Sequence, residues 1–359
     1  KGGGSMLKEM DRREFLKASA ATGAVLMAGD VLKGGATVAY ASVKIPEVEK
    51  LVITVITDNY YDVLRPHEKI ARRKNISIPG IALHAEHGLA YYIETVVNGK
   101  TYTLMFDFGW DFNGVSRNIE LLDLDLRRLD ALVLSHGHLD HFGNLIQILK
   151  YNSGKISKGI PLYLGGEAYA RRYANLSPEA FDPGGFTDLG QLNMEEVESI
   201  GVVKIIEVKD PTPVVPGAYL TGNIERVTEY EKGSPILFIK RGDKKELDLF
   251  MGEQALVFNV KGKGLVVLSA CAHAGIVNTV KHAQKMTGID KVHVVIGGFH
   301  LIGAPMPKIQ KTIADIKAIN PDYVVPSHCA GWEAITGFER EMPKQFVLNM
   351  AGTRYILTA

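Results

Sequence analysis

The sequence SHGHLDH places three histidines and an aspartate within six residues, directly after the apolar run ALVL. Imidazole nitrogen and carboxylate oxygen are preferred ligands of zinc and similar divalent metals. His136 and His138 are two residues apart, so in extended backbone their side chains point the same way. Asp140 and His141 follow where the chain turns into a helix, and they project differently. The spacing predicts two adjacent metal positions, one served by each pair.

Short runs rich in Val, Ile and Tyr recur along the chain and predict strands. Three stretches predict helices: 143–152, 275–288 and 307–320, the last two with apolar residues at three-to-four spacing. The early half is rich in strands, whereas the late half alternates strand and helix, which favours layered sheets with helices outside. The predicted strands are 50–57, 88–97, 101–109, 131–135, 160–165, 234–240, 255–260, 264–270, 291–298 and 322–327.

The first 41 residues are expected to serve export rather than the fold. KGGGS before Met6 resembles an expression scar, and the RREFLK segment that follows resembles the twin-arginine export signal. The apolar stretch Ala18 to Ala28 is about half the ~20 residues that span a bilayer, so no stable membrane span is predicted in the mature chain. Ala39-Tyr40-Ala41 fits a cleavage site. We expect export by the twin-arginine machinery to a periplasmic or extracytoplasmic location.

The mature chain, residues 42–359, is predicted to form one domain, because no Ser- or Gly-rich linker divides it. Residues 166–233 carry Pro and Gly clusters such as FDPGGFTDLG and are predicted to form a loop-rich insertion. Loops of that length in a compact fold usually border a functional site. The insertion is therefore expected to lie beside the metal positions.

Composition limits the classes of partner that the chain can bind and bears on the state of its cysteines. Forty-one basic residues balance 40 acidic ones, so neither a nucleic-acid groove nor a polybasic membrane patch is predicted. The chain has two cysteines, Cys271 and Cys329, and each lies beside a histidine in a site-like segment. Free thiols or a metal ligand are favoured over a structural disulfide, and the sequence leaves these alternatives open.

The SHGHLDH segment resembles the H-x-H-x-D-H signature of the metallo-β-lactamase superfamily, whose members share an αβ/βα sandwich with one or two metals. LMFDFGW resembles the superfamily's earlier Asp-Gly strand end, which implies that Asp107 supports the ligands from behind. EHGLAYYIE, TGNIERVTEYE, GEQALVFNVKGKGLVVLSACAHAGIVNT, GGFHL and VVPSHCAG resemble one branch of it. Named members of that branch are similar to 7,8-dihydropterin-6-yl-methyl-4-(β-D-ribofuranosyl)aminobenzene 5'-phosphate synthase. The resemblance covers nearly all of the mature chain.

Further ligands are expected at strand ends far along the chain. VVLSACAHAG puts Cys271 and His273 just past a buried strand, and DYVVPSHCAG does the same for His328. Layered α/β folds present functional groups at such strand ends. We predict His273 and His328 as metal ligands, although each could instead support the ligands from behind. Cys271 could also be a ligand, but a packed apolar thiol is the favoured interpretation.

The resemblance is incomplete at two positions. Most binuclear members carry a histidine in the insertion and an aspartate that bridges the metals, but residues 151–263 contain no histidine and SACAHAG contains no aspartate. Cys271 or His273 must then replace one of those ligands, or one metal position is weak. We still expect two divalent ions, zinc first, with manganese and iron also compatible with nitrogen and oxygen ligands.

His300, in GGFHL, is a candidate for substrate contact or proton donation, with a satisfied core histidine as the alternative. Arg226 and Glu229, in NIERVTEYE, are candidates for substrate binding, and Arg226 would anchor a phosphate or carboxylate. A solvated charged loop is the alternative for both. The other histidines are interpreted as surface or core residues, although His87 lies in the branch-like EHGL and could face the cleft; they are His67, His84, His87, His282 and His293.

A divalent metal lowers the pKa of bound water from about 15.7 towards about 7 and so supplies hydroxide at neutral pH. We predict an exported metal-dependent hydrolase that uses this hydroxide on an anionic small molecule, a phosphoester or cyclic phosphodiester. Asp140 and His300 are the predicted catalytic residues. The alternatives are a lactone, thioester or β-lactam hydrolase at the same site, or a non-catalytic metal-bearing binding protein. Export argues against pterin cofactor assembly, which should need cytoplasmic intermediates.

Overall fold

Two large mixed sheets dominate the computed structural model, which describes residues 42–76, 78–175 and 185–359. These residues fall within one unit, Ser42–Ala359. The expression scar and the export signal expected in residues 1–41 lie outside the described part of the chain. Within the described part, none of the helices combines the length and the apolar character needed to cross a membrane.

The described residues contain nineteen strands; ten of them correspond to the ten predicted ranges, and the other nine were not predicted. The strands are β1 (Glu47–Val48), β2 (Lys50–Thr57), β3 (Ala71–Arg73), β4 (Ala90–Val97), β5 (Lys100–Phe106), β6 (Ala131–Val133), β7 (Ile160–Gly165), β8 (Arg172–Ala174), β9 (Thr187–Gly190), β10 (Val203–Val208), β11 (Thr212–Val215), β12 (Ala218–Leu220), β13 (Leu237–Arg241), β14 (Lys244–Leu247), β15 (Leu256–Val260), β16 (Gly264–Ser269), β17 (Val292–Gly298), β18 (Tyr323–Ser327) and β19 (Thr353–Thr358).

Seven α-helices connect these strands in the described part of the chain, together with two 3-10 turns at Leu126–Arg128 and His328–Ala330. The predicted helices 143–152, 275–288 and 307–320 are confirmed within three residues at each end. The helices are α1 (Phe112–Leu121), α2 (Leu139–Phe142), α3 (Leu145–Tyr151), α4 (Met194–Ser199), α5 (Ile276–Thr287), α6 (Met306–Ile319) and α7 (Trp332–Glu341).

The first large sheet has eight strands in the order β10-β7-β6-β5-β4-β2-β19-β3. Its centre joins an antiparallel half, β2, β4 and β5, to a parallel half, β5, β6, β7 and β10. The second sheet runs β11-β12-β15-β16-β17-β18, with β1 also paired to β15. Its last three strands are parallel. Both sheets therefore offer carboxyl ends of parallel strands, where functional groups gather.

Alternating side chains on the strands face two different cores, as the period of two in extended backbone requires. On β5, Leu104 and Phe106 join the core between the sheets, whereas Met105 joins the core beneath α1, α3 and α4. On β16, Leu268 faces the core between the sheets and Val267 faces α5, α6 and α7. The layers are helices, sheet, sheet, helices. The predicted αβ/βα sandwich is confirmed.

Residues 166–233, expected to form a loop-rich insertion, are described except for 176–184. They contain five strands, β8 to β12, and helix α4. β10 belongs to the first large sheet, β11 and β12 belong to the second, and β8 and β9 join β13 and β14 in a small four-stranded sheet. Much of this segment is therefore built into the sandwich. The small sheet is the part that lies apart from the two main layers.

Candidate metal centre

Most of the predicted site residues meet at the carboxyl ends of five strands drawn from both large sheets. In the first sheet, Asp107 follows β5 and the HGHLDH motif follows β6. In the second sheet, Cys271 follows β16, His300 follows β17 and His328 is the residue directly after β18. Residues more than a hundred positions apart thus converge because the two sheets present their strand ends on one side of the sandwich.

One buried carboxylate orients two of the motif histidines. Asp107 Oδ2 accepts hydrogen bonds from Ser135 Oγ at 2.7 Å and from His141 Nδ1 at 2.7 Å. Because the Ser135 hydroxyl donates to Asp107, its oxygen accepts from His136 Nδ1, which lies 2.8 Å away. Both imidazoles therefore carry their proton on Nδ1 and keep the lone pair on Nε2. This is the tautomer that turns Nε2 towards a metal.

The first cluster of ligand atoms comes from His136, His138 and His273, whose ligand atoms all lie within 4.8 Å of one another. His136 Nε2 is 3.2 Å from His273 Nε2, and His138 Nε2 is buried without a hydrogen-bond partner in the structure. Burial lowers the pKa of all three imidazoles well below the ordinary value. Neutral imidazole is the form that binds a metal.

The second cluster is built around Asp140, which is 3.1 Å from His328 Nε2 and 3.6 Å from His141 Nε2. Burial alone would raise the pKa of the Asp140 carboxyl, but His141 and His328 outweigh it and hold the pKa well below its ordinary value. For His328, burial lowers the pKa, and Cys329 and Asp140 raise it to about 9. Without a metal, the raised pKa favours the charged form of the His328 ring, which pairs with the mostly buried Asp140 carboxylate beside His141.

Cys271 lies between the two clusters. Its Sγ is 3.2 Å from His141 Nε2, and the His141 ring in turn lies 4.3 Å, centroid to centroid, from that of His136. Three of the sets of candidate ligand atoms that lie within 4.8 Å of one another include this sulfur; they are His136–His141–Cys271, Cys271–His273–His300 and Cys271–His328–Cys329. The sulfur therefore lies within reach of ligand atoms from both clusters.

The donor set fits one or two divalent ions of zinc character. Two pairs of imidazole nitrogens point at each other at 3.2 Å, His136 with His273 and His141 with His328. Since Asp107 assigns the Nδ1 protons of His136 and His141, their Nε2 atoms offer lone pairs to the shared space. Nitrogen, carboxylate oxygen and thiolate sulfur are the ligands zinc takes in proteins. Which of these residues bind a metal stays a prediction.

Five residues around the centre adopt left-handed backbone conformations that residues other than glycine rarely take. The φ angles are 59° at Asp107, 51° at Phe250, 56° at Ala272, 44° at His300 and 50° at His328. Such strain costs of order 1–3 kcal/mol for each residue and persists only where the surroundings hold it. Its concentration at these strand ends is typical of a functional site.

Three predicted site residues lie outside the two clusters: His300, Arg226 and Glu229. The His300 ring is 4.1 Å from that of His273, and its Nδ1 is buried without a partner in the structure. Arg226 is half-buried and donates to the Leu249 carbonyl, whereas Glu229 is exposed. Leu249 adjoins Phe250, whose ring stacks on His273, so this hydrogen bond places the Arg226 guanidinium near the centre.

The remaining histidines were predicted to be surface or core residues, and one of them, His87, also contacts the centre. His67 accepts from the Arg73 backbone, and His293 lies 2.6 Å from Asp322, so both have structural partners. His87 instead stacks on His328 with centroids 4.8 Å apart, and its Nε2 is 3.6 Å from Asp140. The His87 side chain is 51% exposed, so it is a surface residue as predicted, and it also faces the cleft as the alternative held.

Sequence reasoning missed a buried support formed by Arg172, Asp248 and Phe250. Arg172 Nε donates to Asp248 Oδ2 at 2.8 Å, and its Nη1 donates to the carbonyl of Gly137 at 3.2 Å. A Cβ on Gly137 would lie 2.3 Å from Arg172 Nη1, so only glycine admits this approach. Phe250 stacks on His273. The sequence did not reveal this support, because the residues that form it are far apart in the chain.

A second missed residue is Glu253, which holds the backbone that presents His273. Its carboxylate accepts from His273 N at 2.7 Å and from Ala274 N at 2.8 Å. Burial raises the pKa of Glu253 to about 7, although these two backbone bonds oppose the rise. Its position in GEQAL, just before a predicted strand, was the signal available in the sequence.

Residues 85–205 match the metallo-β-lactamase superfamily. The 7,8-dihydropterin-6-methyl-4-(β-D-ribofuranosyl)-aminobenzene-5'-phosphate synthase of Methanocaldococcus jannaschii is 33% identical over 274 residues, which cover 75% of this chain and 89% of that relative. The chain belongs to the metallo-β-lactamase superfamily. An uncharacterised protein of the same organism is 27% identical over 255 residues, 70% of this chain and 87% of its own length.

Among solved structures, one described as a metal-dependent hydrolase of the β-lactamase superfamily has a TM-score of 0.65 and 23% identity. The match covers 86% of this chain and all of that one, and it supports the metallo-β-lactamase fold. Proteins of this superfamily generally depend on divalent metals, in agreement with the clusters of histidine, cysteine and aspartate described above. The identity of the metal and the number of ions belong to the proposal below.

Residues 9–29 match the signal sequence of the twin-arginine translocation pathway. This superfamily member is therefore exported by the twin-arginine route to the periplasm or extracytoplasmic space. The predicted signal within residues 1–41 is confirmed at the level of the sequence, since these residues lie outside the described structure.

Proposed function

We propose that the protein is an exported metal-dependent hydrolase with two divalent ions, zinc first, that cleaves a phosphoester or cyclic phosphodiester in a small anionic molecule. The observation that carries the proposal is the opposition of buried ligand atoms. His136 Nε2 faces His273 Nε2, and His141 Nε2 faces both His328 Nε2 and Cys271 Sγ, all at 3.2 Å. A metal ion bound among these atoms would account for the close approach of four imidazole nitrogens and one cysteine sulfur.

The proposed ligand sets follow the two clusters. His136, His138 and His273 would hold one ion, and Asp140, His141 and His328 would hold the other. Cys271 is the proposed replacement for the bridging aspartate that this chain lacks. A divalent ion bound here would supply Lewis acidity and lower the pKa of water towards about 7.

The chain's own residues would place and protonate the substrate. Asp140 keeps its charge, since its pKa is held well below the ordinary value, and would orient the attacking water through hydrogen bonding. His300 lies beside His273 with a free buried Nδ1 and would donate a proton to the leaving group. Arg226, half-buried at the edge, would bind the anionic group of the substrate, with Glu229 further out.

The phosphoester class rests on the relative's name and on the half-buried Arg226 near the centre. The relative from Methanocaldococcus jannaschii is named for a product that carries a ribofuranosyl 5'-phosphate. That relative is called a synthase, and this chain carries an export signal, so the same product is not proposed here. A phosphate-bearing substrate of the extracytoplasmic space is the proposal.

Elemental mass spectrometry on protein purified without chelators tests the metal part of the proposal. About two ions per chain are expected, since two separate ligand clusters are present. One ion would mean that Cys271 does not replace the missing aspartate. No bound ion after supplementation with zinc, manganese or iron would overturn the proposed function and favour a binding protein.

Activity is tested with a panel of aryl phosphodiesters and phosphomonoesters beside lactones, thioesters and a β-lactam. The expected result is hydrolysis of a phosphoester by the wild-type protein. Removal of a proposed metal ligand in His138→Ala should lower this activity by about a hundredfold or more. His67→Ala, an exposed histidine outside the centre, is the matched control. A loss below about tenfold in folded His138→Ala, or preference for lactones, would contradict the proposal.

A further inference from the structure

The two cysteines of the chain lie side by side at the centre, although 58 positions separate them in the sequence. Cys271 Sγ and Cys329 Sγ are 3.3 Å apart, and Cys329 Sγ also lies 3.5 Å from the Cys271 carbonyl oxygen. Both thiols are buried. A disulfide has its sulfurs about 2.05 Å apart, so closing the bond asks the two side chains to approach by little more than an ångström.

The fold makes room for this pair at one glycine. Cys271 follows β16 and Cys329 follows β18, and β17 runs between those two strands. Gly298 ends β17, and a Cβ placed there would lie 2.8 Å from Cys329 Sγ and 2.2 Å from the Ala270 carbonyl oxygen. The absence of a side chain at this position lets sulfurs from the two outer strands meet across the middle one.

The same sulfur faces the proposed metal ligands. Cys271 Sγ lies 3.2 Å from His141 Nε2 and shares its surroundings with His136 and His273. A sulfur that is bonded to a second sulfur no longer offers a thiolate to a metal. Cys271 Sγ can therefore either bind a metal or join a disulfide, but it cannot do both at once.

We propose that Cys271 and Cys329 are a redox modification site: they close a disulfide in the metal-free protein, and the closed disulfide and a metal at Cys271 exclude each other. The mutual exclusion rests on the proposed function, because it requires Cys271 to be a metal ligand. Formation of the disulfide does not depend on the proposed function. Export to an oxidising space makes the choice relevant, since disulfides form and persist there.

The oxidant is an organic disulfide, and the exchange balances as two successive displacements. One cysteine thiolate attacks the disulfide, forms a mixed disulfide and releases one thiol. The second cysteine sulfur then attacks the protein sulfur of that mixed disulfide, the protein disulfide forms, and a second thiol leaves. Two protein thiols are oxidised, and one molecule of organic disulfide is reduced to two thiols.

The test uses the mature chain, metal-free and metal-loaded, in a buffer of oxidised and reduced glutathione, with equilibrium approached from both the reduced and the refolded oxidised protein. Intact mass and thiol titration after denaturation are read. We expect metal-free protein to lose both free thiols and the mass of two hydrogen atoms. Zinc-loaded protein should keep both thiols. Cys329→Ser should never show the loss of two hydrogens.

A second readout measures zinc binding by competition with a chromophoric chelator. The oxidised protein should bind at least one ion fewer than the reduced protein, and a reductant should restore it. Both thiols remaining free in the metal-free protein from either direction would overturn the disulfide. Unchanged zinc binding with the disulfide closed would overturn the exclusion. Neither readout uses hydrolysis, so failure of the proposed activity is distinguished from failure of this inference.

Discussion

The ring of Phe250 lies flat against the imidazole of His273, with centroids 3.7 Å apart and 5° between the planes. The same ring meets His138 edge-on, with centroids 5.1 Å apart. Phe250 is held there in a left-handed conformation, with φ of 51°, and its N–H donates to Asp248 Oδ1 at 2.7 Å. One apolar side chain thus limits the rotation of a proposed metal ligand.

Phe250→Leu should weaken metal binding while the domain stays folded. The change removes the flat surface that orients His273 but keeps an apolar side chain in the buried position. Supports behind metal ligands are worth about 10- to 100-fold in metal affinity, and we expect a loss in that range. Competition with a chromophoric chelator measures it. Phe238→Leu, which removes an aromatic contact with Phe186 in the small sheet, should leave the affinity unchanged.

Asp107→Asn should disturb two proposed ligands at once. Asp107 also accepts from Ser135 N at Oδ1, and because this backbone N–H can only donate, the amide oxygen of asparagine stays opposite it. The amide NH2 group then takes the place of Oδ2, where it cannot accept from the Ser135 hydroxyl or from His141 Nδ1. One imidazole is then pushed towards the other tautomer, with a proton on the nitrogen that faces the metal space. We expect metal affinity to fall by at least about tenfold. Imidazole NMR of the metal-free protein would show the tautomer, and an unchanged His141 tautomer would count against this role.

Arg172→Met should destabilise the metal-free protein strongly. Arg172 and Asp248 are both buried, and removal of the arginine leaves the carboxylate without its charged partner. Breaking a buried pair in this way costs about 3–5 kcal/mol in the free energy of unfolding. Urea denaturation measures the loss. Arg171→Met changes the neighbouring exposed arginine, which pairs with Asp188, and should have little effect. Recovery of most of the loss in Arg172→Met/Asp248→Leu would confirm the cause.

Glu253→Gln should remove a pH dependence of stability. Because burial raises the folded pKa of Glu253 from 4.5 to about 7, the folded protein binds this proton more tightly than the unfolded chain. Its stabilising contribution is complete below about pH 4.5 and is lost as the pH rises through about 7, a change of about 3 kcal/mol. Glutamine stays neutral and lacks this decline.

The measurement is the free energy of unfolding of metal-free protein at about pH 5 and about pH 8. Wild type should lose more stability across this interval than Glu253→Gln. Glu195→Gln, at an exposed position in α4, is the control and should follow wild type. Equal slopes for wild type and Glu253→Gln would show that Glu253 titrates normally in the folded chain.

The sandwich was predictable because its strands and helices carry strong periodic patterns. The run IPLYLG is β7 in its entirety, and the predicted helix 307–320 is α6, Met306–Ile319. β19 and β10 were missed, since TRYILT and VKIIEV interleave charged or polar residues with apolar ones and lie outside the longer apolar runs. Sheet order was not read from the sequence, because pairing between distant strands leaves no local mark.

The candidate site was predictable where the chemistry is local. The HGHLDH motif and the strand-end positions of His273 and His328 are visible in the sequence, and the structure brings them together. Phe250 and Arg172 were not predictable, because a single apolar residue and a single arginine take their meaning only from residues that fold onto them. Arg172 lies in β8 of the small sheet and Phe250 follows its strand β14, so the position of both residues depends on the whole fold.

His141 and His328 face each other across 187 positions of sequence, one from each large sheet. A metal held by both would act in polymer terms as a cross-link that closes a loop over half the length of the chain. Closing a loop of about 100 residues or more is worth roughly 5 kcal/mol against the unfolded ensemble, before any strain is counted. The ion would then fasten the two halves of the domain, and its loss would loosen the sandwich as a whole.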